Sequence, residues 1–250
     1  MRKLMVVTLL CLAAGTIGAA QGSSIYISPT IVVMGFGNAT SAITVRNDSG
    51  RPVGFTIRGQ RWTNLADGTP RLEDTQDVIV FPAAIALRAG ESKRIRLATQ
   101  LAVSAAERSY RVVLDEVASL SSAQRGLATR LQFSIPVFVQ PKERTAKVWM
   151  PAPDIDKGSV HLQLWNVGRL HVTSRTVQAR GFDASGAIVW TRDFRPWYLL
   201  VEERRTHSAT LSAAECRATA LIVAEASFSE SKALALREER RVSGADCNVR

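Results

Sequence analysis

The residues first weighed for chemistry are His161, His171 and His207, all in the second half of the chain. A metal or acid–base role needs such groups gathered with carboxylates or thiols at short, regular spacing. Here they are spread over strand-like and loop-like stretches. No Cys-x-x-Cys pair accompanies them, and no Gly-x-Ser-x-Gly elbow or phosphate-cradling glycine loop occurs. Asp115 and Glu116 are adjacent on a strand-like run, so they point to opposite faces and do not form a working carboxylate pair. Asp154 and Asp156 fall in a polar turn, where solvation is their expected role. No catalytic, metal-binding or cofactor-binding constellation is found. The chemistry to look for is that of binding.

Binding draws attention to Gly126–Pro141, Gly-Leu-Ala-Thr-Arg-Leu-Gln-Phe-Ser-Ile-Pro-Val-Phe-Val-Gln-Pro. Leu127, Thr129, Leu131, Phe133, Ile135, Val137 and Val139 occupy its odd positions, and Arg130, Gln132, Ser134 and Pro136 are among its even ones. Alternation with period two is the mark of a β-strand. The run is longer than a usual strand of about 5–6 residues. Pro136 cannot donate to a ladder and favours a sheet edge. A long apolar edge invites pairing with other chains. Two readings follow: an ordinary sandwich strand with a bent end, or a strand held open for another chain.

The elements that would position this stretch are nearly all β. Before it come strand-like runs at Ile25–Gly35, Ala42–Arg46, Val53–Trp62, Val78–Phe81, Lys93–Ala98 and Tyr110–Val117, with one helical turn expected at Ser104–Arg108. After Pro141 come Thr145–Met150, Val160–Trp165, Thr176–Phe182, Ala187–Arg192, Trp197–Glu202, Ala209–Leu211, Thr219–Phe228 and Ala233–Glu239. The pattern predicts an all-β chain of two immunoglobulin-like β-sandwich domains, 21–140 and 141–250, hinged near Gln140–Glu143. Val45, Trp62, Ile95, Val112 and Leu114 are expected in the first core. Trp190 and Trp197 fit either core or surface.

The start of the chain reads as an export signal. Met-Arg-Lys precedes an apolar run from Leu4 to Ala14 and small residues at Gly18-Ala19-Ala20. Cleavage is expected after Ala20, and Cys11 leaves with the signal. Loss of Arg2 and Lys3, and of no acid, takes the net charge from +10 to +8. No second apolar stretch is long enough for a membrane helix. Export argues against nucleic acid as the partner of this basic chain, and its Lys and Arg are scattered rather than blocked. Cys216 and Cys247 remain, an even count that suggests a disulfide in an oxidising compartment.

Taken together, the first-domain residues resemble a family. Ile25-Tyr-Ile-Ser-Pro-Thr, Ile43-Thr-Val-Arg-Asn47, Arg61-Trp-Thr before Asp67-Gly68, and Phe81-Pro-Ala with Ile85 stand in order. Ala89–Leu97, Glu107–Glu116 and Ser134–Val139 before Pro141 follow. The set is similar to the periplasmic chaperones of the chaperone–usher pilus pathway, the PapD-like fold, and nearest its archaic branch. The second domain resembles the family more loosely, through Trp165-Asn166-x-Gly168 leading to His171-Val172.

The resemblance implies an L-shaped pair of sandwiches in the periplasm. It implies a non-enzymatic chaperone that binds pilin or fimbrial subunits by donor-strand complementation and delivers them to an outer-membrane usher. Leu127, Thr129, Leu131, Phe133 and Ile135 would be the side chains offered to the subunit. Three large apolar plugs at ~1.5–3 kcal/mol each give a gross ~5–9 kcal/mol, opposed by association costs of ~4–15 kcal/mol, so backbone pairing and a charged anchor must contribute. In the best-known branch an arginine and a lysine hold the subunit's terminal carboxylate. Here Ile31 and Pro136 stand at those places, and neither binds an anion. Arg111 is the first replacement candidate, since a hairpin sets the start of one strand beside the end of the next, near Ser134–Pro136. Arg130 is the second. Each is otherwise an exposed strand arginine in a surface ion pair. Self-association through the open strand is left open. The alternatives are a secreted β-sandwich adhesin or structural surface protein, and a secreted hydrolase on the same scaffold.

Overall fold

The computed structural model describes residues 24–65, 67–100, 102, 104–117, 130–230 and 234–247. The expected signal segment, Leu127, Thr129 and the stretch 118–124 lie outside them.

The first half holds β1 (Ile25–Ser28), β2 (Val32–Gly35), β3 (Thr40–Asn47), β4 (Val53–Asn64) and β5 (Pro70–Asp74). It continues with β6 (Val78–Phe81), β7 (Ala84–Leu87), β8 (Ser92–Thr99), β9 (Arg108–Glu116) and β10 (Gln132–Gln140). One sheet runs β1-β3-β8-β6, and the facing sheet runs β2-β10-β9-β4-β5 with β7 beside β4. Inward residues of both sheets, among them Val45, Phe55, Ile95, Leu97, Val112, Leu114 and Val137, form one core.

The second half holds β11 (Val148–Trp149), β12 (Asp154–Asp156), β13 (Ser159–Asn166), β14 (Val172–Phe182) and β15 (Ile188–Asp193). Then come β16 (Tyr198–Leu199), β17 (Arg204–Thr210), α1 (Ala213–Ala218), β18 (Leu221–Phe228), β19 (Ala235–Arg241) and a 3-10 turn at Gly244–Cys247. One sheet runs β11-β13-β12 with β17 on β13, and the other runs β15-β14-β18-β19 with β16 on β14. A second core lies between them, built on Val160, Leu162, Leu164, Val177, Trp190, Ile222 and Phe228. No helix among the described residues is long and apolar enough to cross a membrane.

Several expectations need correction. The run Ile25–Gly35 is two strands in different sheets, β1 antiparallel to β3 and β2 parallel to β10. Pro29 stands at the break, where a residue without an N–H cannot continue a ladder. Ser104–Arg108 is a bend leading into β9, not a helical turn. The β5 segment is exposed throughout and shows no apolar alternation to read. Only the end of β17 reads as apolar, because Arg204, Arg205 and His207 fill its front. Trp62 is buried, yet it lies outside the first core, on the other face of its sheet.

Asparagines tie turns in both sandwiches. Asn47 Nδ2 donates to the carbonyls of Arg51, Leu87 and Arg88. Asn166 Nδ2 donates to the carbonyls of Leu170 and Leu199, while its Oδ1 accepts from Gly168 N. Gly168 is required there, since a Cβ would come within 2.6 Å of Lys147 N and Thr145 O. Cys216 and Cys247 form a disulfide across 31 positions, joining α1 to the final turn. Ser212 and Glu215 close a reciprocal capping box on α1.

Candidate functional site

β10 is a half-open edge. It pairs antiparallel with β9 from Gln132 to Val139. On its other side it pairs, in parallel, with β2 only from Val137 to Gln140. From Gln132 to Pro136 one row of backbone groups therefore has no strand partner among the described residues. Pro136 stands where the pairing changes, a place where its missing N–H costs little. Gly35 closes β2 against β10, where an added Cβ would meet Gln140 O at 2.2 Å.

The two faces of β10 differ. Phe133, Ile135, Val137 and Val139 turn to the core side, and Gln132, Ser134, Pro136 and Phe138 turn to the other. Phe133 is half-buried, its ring edge-on to Phe55 at 5.9 Å. Ile135 is only 5% exposed and belongs to the domain's own core, so it holds the strand in place rather than offering a free side chain. Leu131 is half-buried and clipped to β9. Its carbonyl accepts from Glu116 N at 2.9 Å, and its N–H donates to Glu116 Oε2 at 3.1 Å. Arg130 is exposed.

Arg111 lies directly across from Pro136 in the β9–β10 ladder. Its guanidinium stacks over Trp62, 3.7 Å from the ring centre, and lies 5.8 Å from that of Tyr198. Nη1 donates to Ser134 O at 3.3 Å. Arg111 is 8% exposed and makes no ion pair with any described residue. Burial pushes its pKa down from the ordinary arginine value. The arrangement is a positive charge with directed donors and no carboxylate partner among the described residues.

The two sandwiches meet on this same face. Trp62, Phe138 and Leu200 are buried together with Tyr198 beside them. His171 stacks flat on Phe138 at 3.6 Å. Glu107, at the foot of β9, accepts from His171 N (2.9 Å) and Gln140 Nε2 (3.2 Å) and sits 2.7 Å from His171 Nδ1. Glu203 reaches back, accepting from Asn64 Nδ2 at 2.7 Å and Leu200 N at 2.8 Å. These contacts hold the end of β10 and Arg111 against the second sandwich. Sequence reading missed Glu107, Glu203 and Tyr198, because nothing in the linear pattern separates a buried carboxylate from a solvated one.

The histidines do not converge. His161 Nδ1 is bonded to Ser208 Oγ, His171 belongs to the joint, and His207 packs on Phe194. Burial, and secondarily Arg205, pushes His207 down to about 4, so it is neutral near pH 7.

Comparison with known proteins agrees with this geometry. Residues 24–144 match the model of the PapD N-terminal domain of pili and flagellar-assembly chaperones. No curated protein matches the sequence significantly. Among solved structures, one similar chain is from the CsuC–CsuE chaperone–tip adhesion subunit pre-assembly complex of the archaic chaperone–usher Csu pili of Acinetobacter baumannii. It is 17% identical, with 88% of this chain and 98% of that one covered, at a TM-score of 0.60. The CupB2 chaperone of Pseudomonas aeruginosa is 13% identical, with 87% and 100% covered and a TM-score of 0.53. A chain of the Salmonella enterica SafA pilin–SafB chaperone complex is 12% identical, with 90% and 99% covered and a TM-score of 0.54. At these identities the likeness is one of fold, and it extends across both sandwiches. The likeness in sequence to the pili and flagellar-assembly chaperones is thus carried by residues 24–144, and the likeness in fold reaches beyond them.

Proposed function

We propose that this protein is a non-enzymatic periplasmic chaperone that captures a pilin or fimbrial subunit by donor-strand complementation and hands it to an outer-membrane usher. Residues 1–20 direct export, 21–140 form the capturing domain and 141–250 the second sandwich. The observation that carries this reading is the half-open β10. Its unpaired edge from Gln132 to Pro136 accepts one more strand, as β-augmentation requires. The family match and the chaperone–subunit complexes among the similar folds support it.

Leu131 and Phe133 are the described side chains nearest the added strand, with Leu127 and Thr129 proposed to continue the row. Ile135 is already committed to the core. Arg111 is the anchor for the subunit's terminal carboxylate. Its planar fork suits two parallel hydrogen bonds to a carboxylate, and no described carboxylate already pairs with it. Arg130 is the lesser candidate, since its exposure leaves it screened by water and salt.

The test is co-expression with a fimbrial subunit from the native host, followed by affinity recovery from the periplasm. Recovery of subunit at equal stoichiometry, lost in Leu131→Asp with circular dichroism unchanged, is expected. Equal recovery by Leu131→Asp would mean that capture does not use this strand.

A further inference from the structure

Beside the open edge, the sheet face changes from charged to apolar. β2 is the outermost strand of its sheet. Val33 is 44% exposed and paired with Phe138, and Ile31, 45% exposed, stands one position before the Val32–Val137 pair that begins the parallel ladder. Continuing that register one place back, into the bend before β2, gives the order Ile31, Pro136, Arg111: an exposed aliphatic side chain, a buried proline and a guanidinium with no ion pair among the described residues. Adjacent strands lie about 4.8 Å apart, which sets Ile31 roughly 10 Å from Arg111.

A strand added to β10 between Gln132 and Pro136 fills the place β2 would hold if β2 began earlier. A chain end that reaches Arg111 must run parallel to β10, as β2 does, and must stop where β2 takes over. That stop is at Ile31. A carboxylate ending there would turn past the buried Pro136 toward Arg111, and the last side chain would lie against the exposed Ile31 and Val33.

We infer that Ile31 and Val33 form a shelf that selects subunits whose final residue is large and apolar. This rests on the strand-addition reading and adds to it a specificity for the subunit's end. Water is displaced from both apolar surfaces when the last residue is apolar, and a polar last residue gains nothing there.

The probes are three labelled peptides of about ten residues, alternating Val and Thr, long enough to span the open edge. One ends in Phe acid, one in Ser acid and one in Phe amide. Fluorescence anisotropy with the full-length mature protein should show Phe acid binding about tenfold tighter than Ser acid, and about tenfold tighter than Phe amide. Ile31→Ser/Val33→Ser, both exposed and expected to melt as the parent does, should abolish the Phe-over-Ser ratio and keep the acid-over-amide ratio. Arg111→Met should do the reverse. Equal binding of the two acids by the parent, or an unchanged ratio in the double variant, overturns the shelf. If Leu131→Asp meanwhile abolishes all peptide binding, strand addition stands without the shelf. If Leu131→Asp binds all three peptides as the parent does, strand addition falls and the shelf with it.

Discussion

Arg111 carries a cost before any partner arrives. A largely buried cation with no anion among the described residues is unfavourable, and stacking on Trp62 offsets only part of that loss. Arg111→Met should therefore keep or raise the melting temperature while reducing subunit recovery by about tenfold or more. Parallel melting curves and periplasmic recovery check both halves. A lower melting temperature with full recovery would make Arg111 a structural residue. Phe133 is a less clean probe than Leu131. Its contact with Phe55 means that Phe133→Asp should also cost stability, by about 1–3 kcal/mol, read in denaturant melts. The placement of Arg111 opposite Ser134–Pro136 was legible in the sequence, because hairpin pairing fixes it once the two strands are recognised. Its stack on Trp62 was not, since that depends on which face of β4 the indole takes.

Period-two alternation marks most central strands and breaks down where one residue changes the geometry. Pro29 divided a single apolar run between two sheets. The α1 helix was readable from Ser212-Ala-Ala-Glu215, a capping-box spacing overlooked among the surrounding strands. The disulfide followed from the cysteine count and the export signal. Cys216→Ser/Cys247→Ser should lose roughly 3–4 kcal/mol in denaturant melts, the value for closing a loop of this size. On β17, His207 is held neutral by burial, with its pKa lowered to about 4. Because the unfolded chain titrates near 6.5, it binds the proton first as pH falls. Stability from this group is complete above about 6.5 and declines toward about 4. His207→Gln should flatten the melting temperature across that interval. An unchanged pH profile would show that the imidazole is not the group responsible.

The whole molecule is two sandwiches joined where the open strand ends. Glu107 and Glu203 each bond from their own sandwich to the other, and the aromatic cluster of Trp62, Phe138, Tyr198 and His171 fills the joint. The joint thus fixes β10 at Gln140 while its other end stays free to pair. Glu107→Ala should leave His171 N and Gln140 Nε2 without their acceptor and split thermal unfolding into two transitions in calorimetry. Two sandwiches were legible from strand spacing. Their joint was not, because its aromatic and polar contacts link residues as far apart in the chain as Asn64 and Glu203.

On the proposed reading, a subunit adds its strand to β10. Amide hydrogen exchange on the purified chaperone, free and loaded with its co-expressed subunit, tests this most directly. In the free protein the amides of Gln132–Ile135 that point away from β9 have no strand partner among the described residues and should exchange quickly. Loading should slow them by orders of magnitude while the β8 amides stay as they were. A stable complex in which the exchange of this segment does not change would contradict the account.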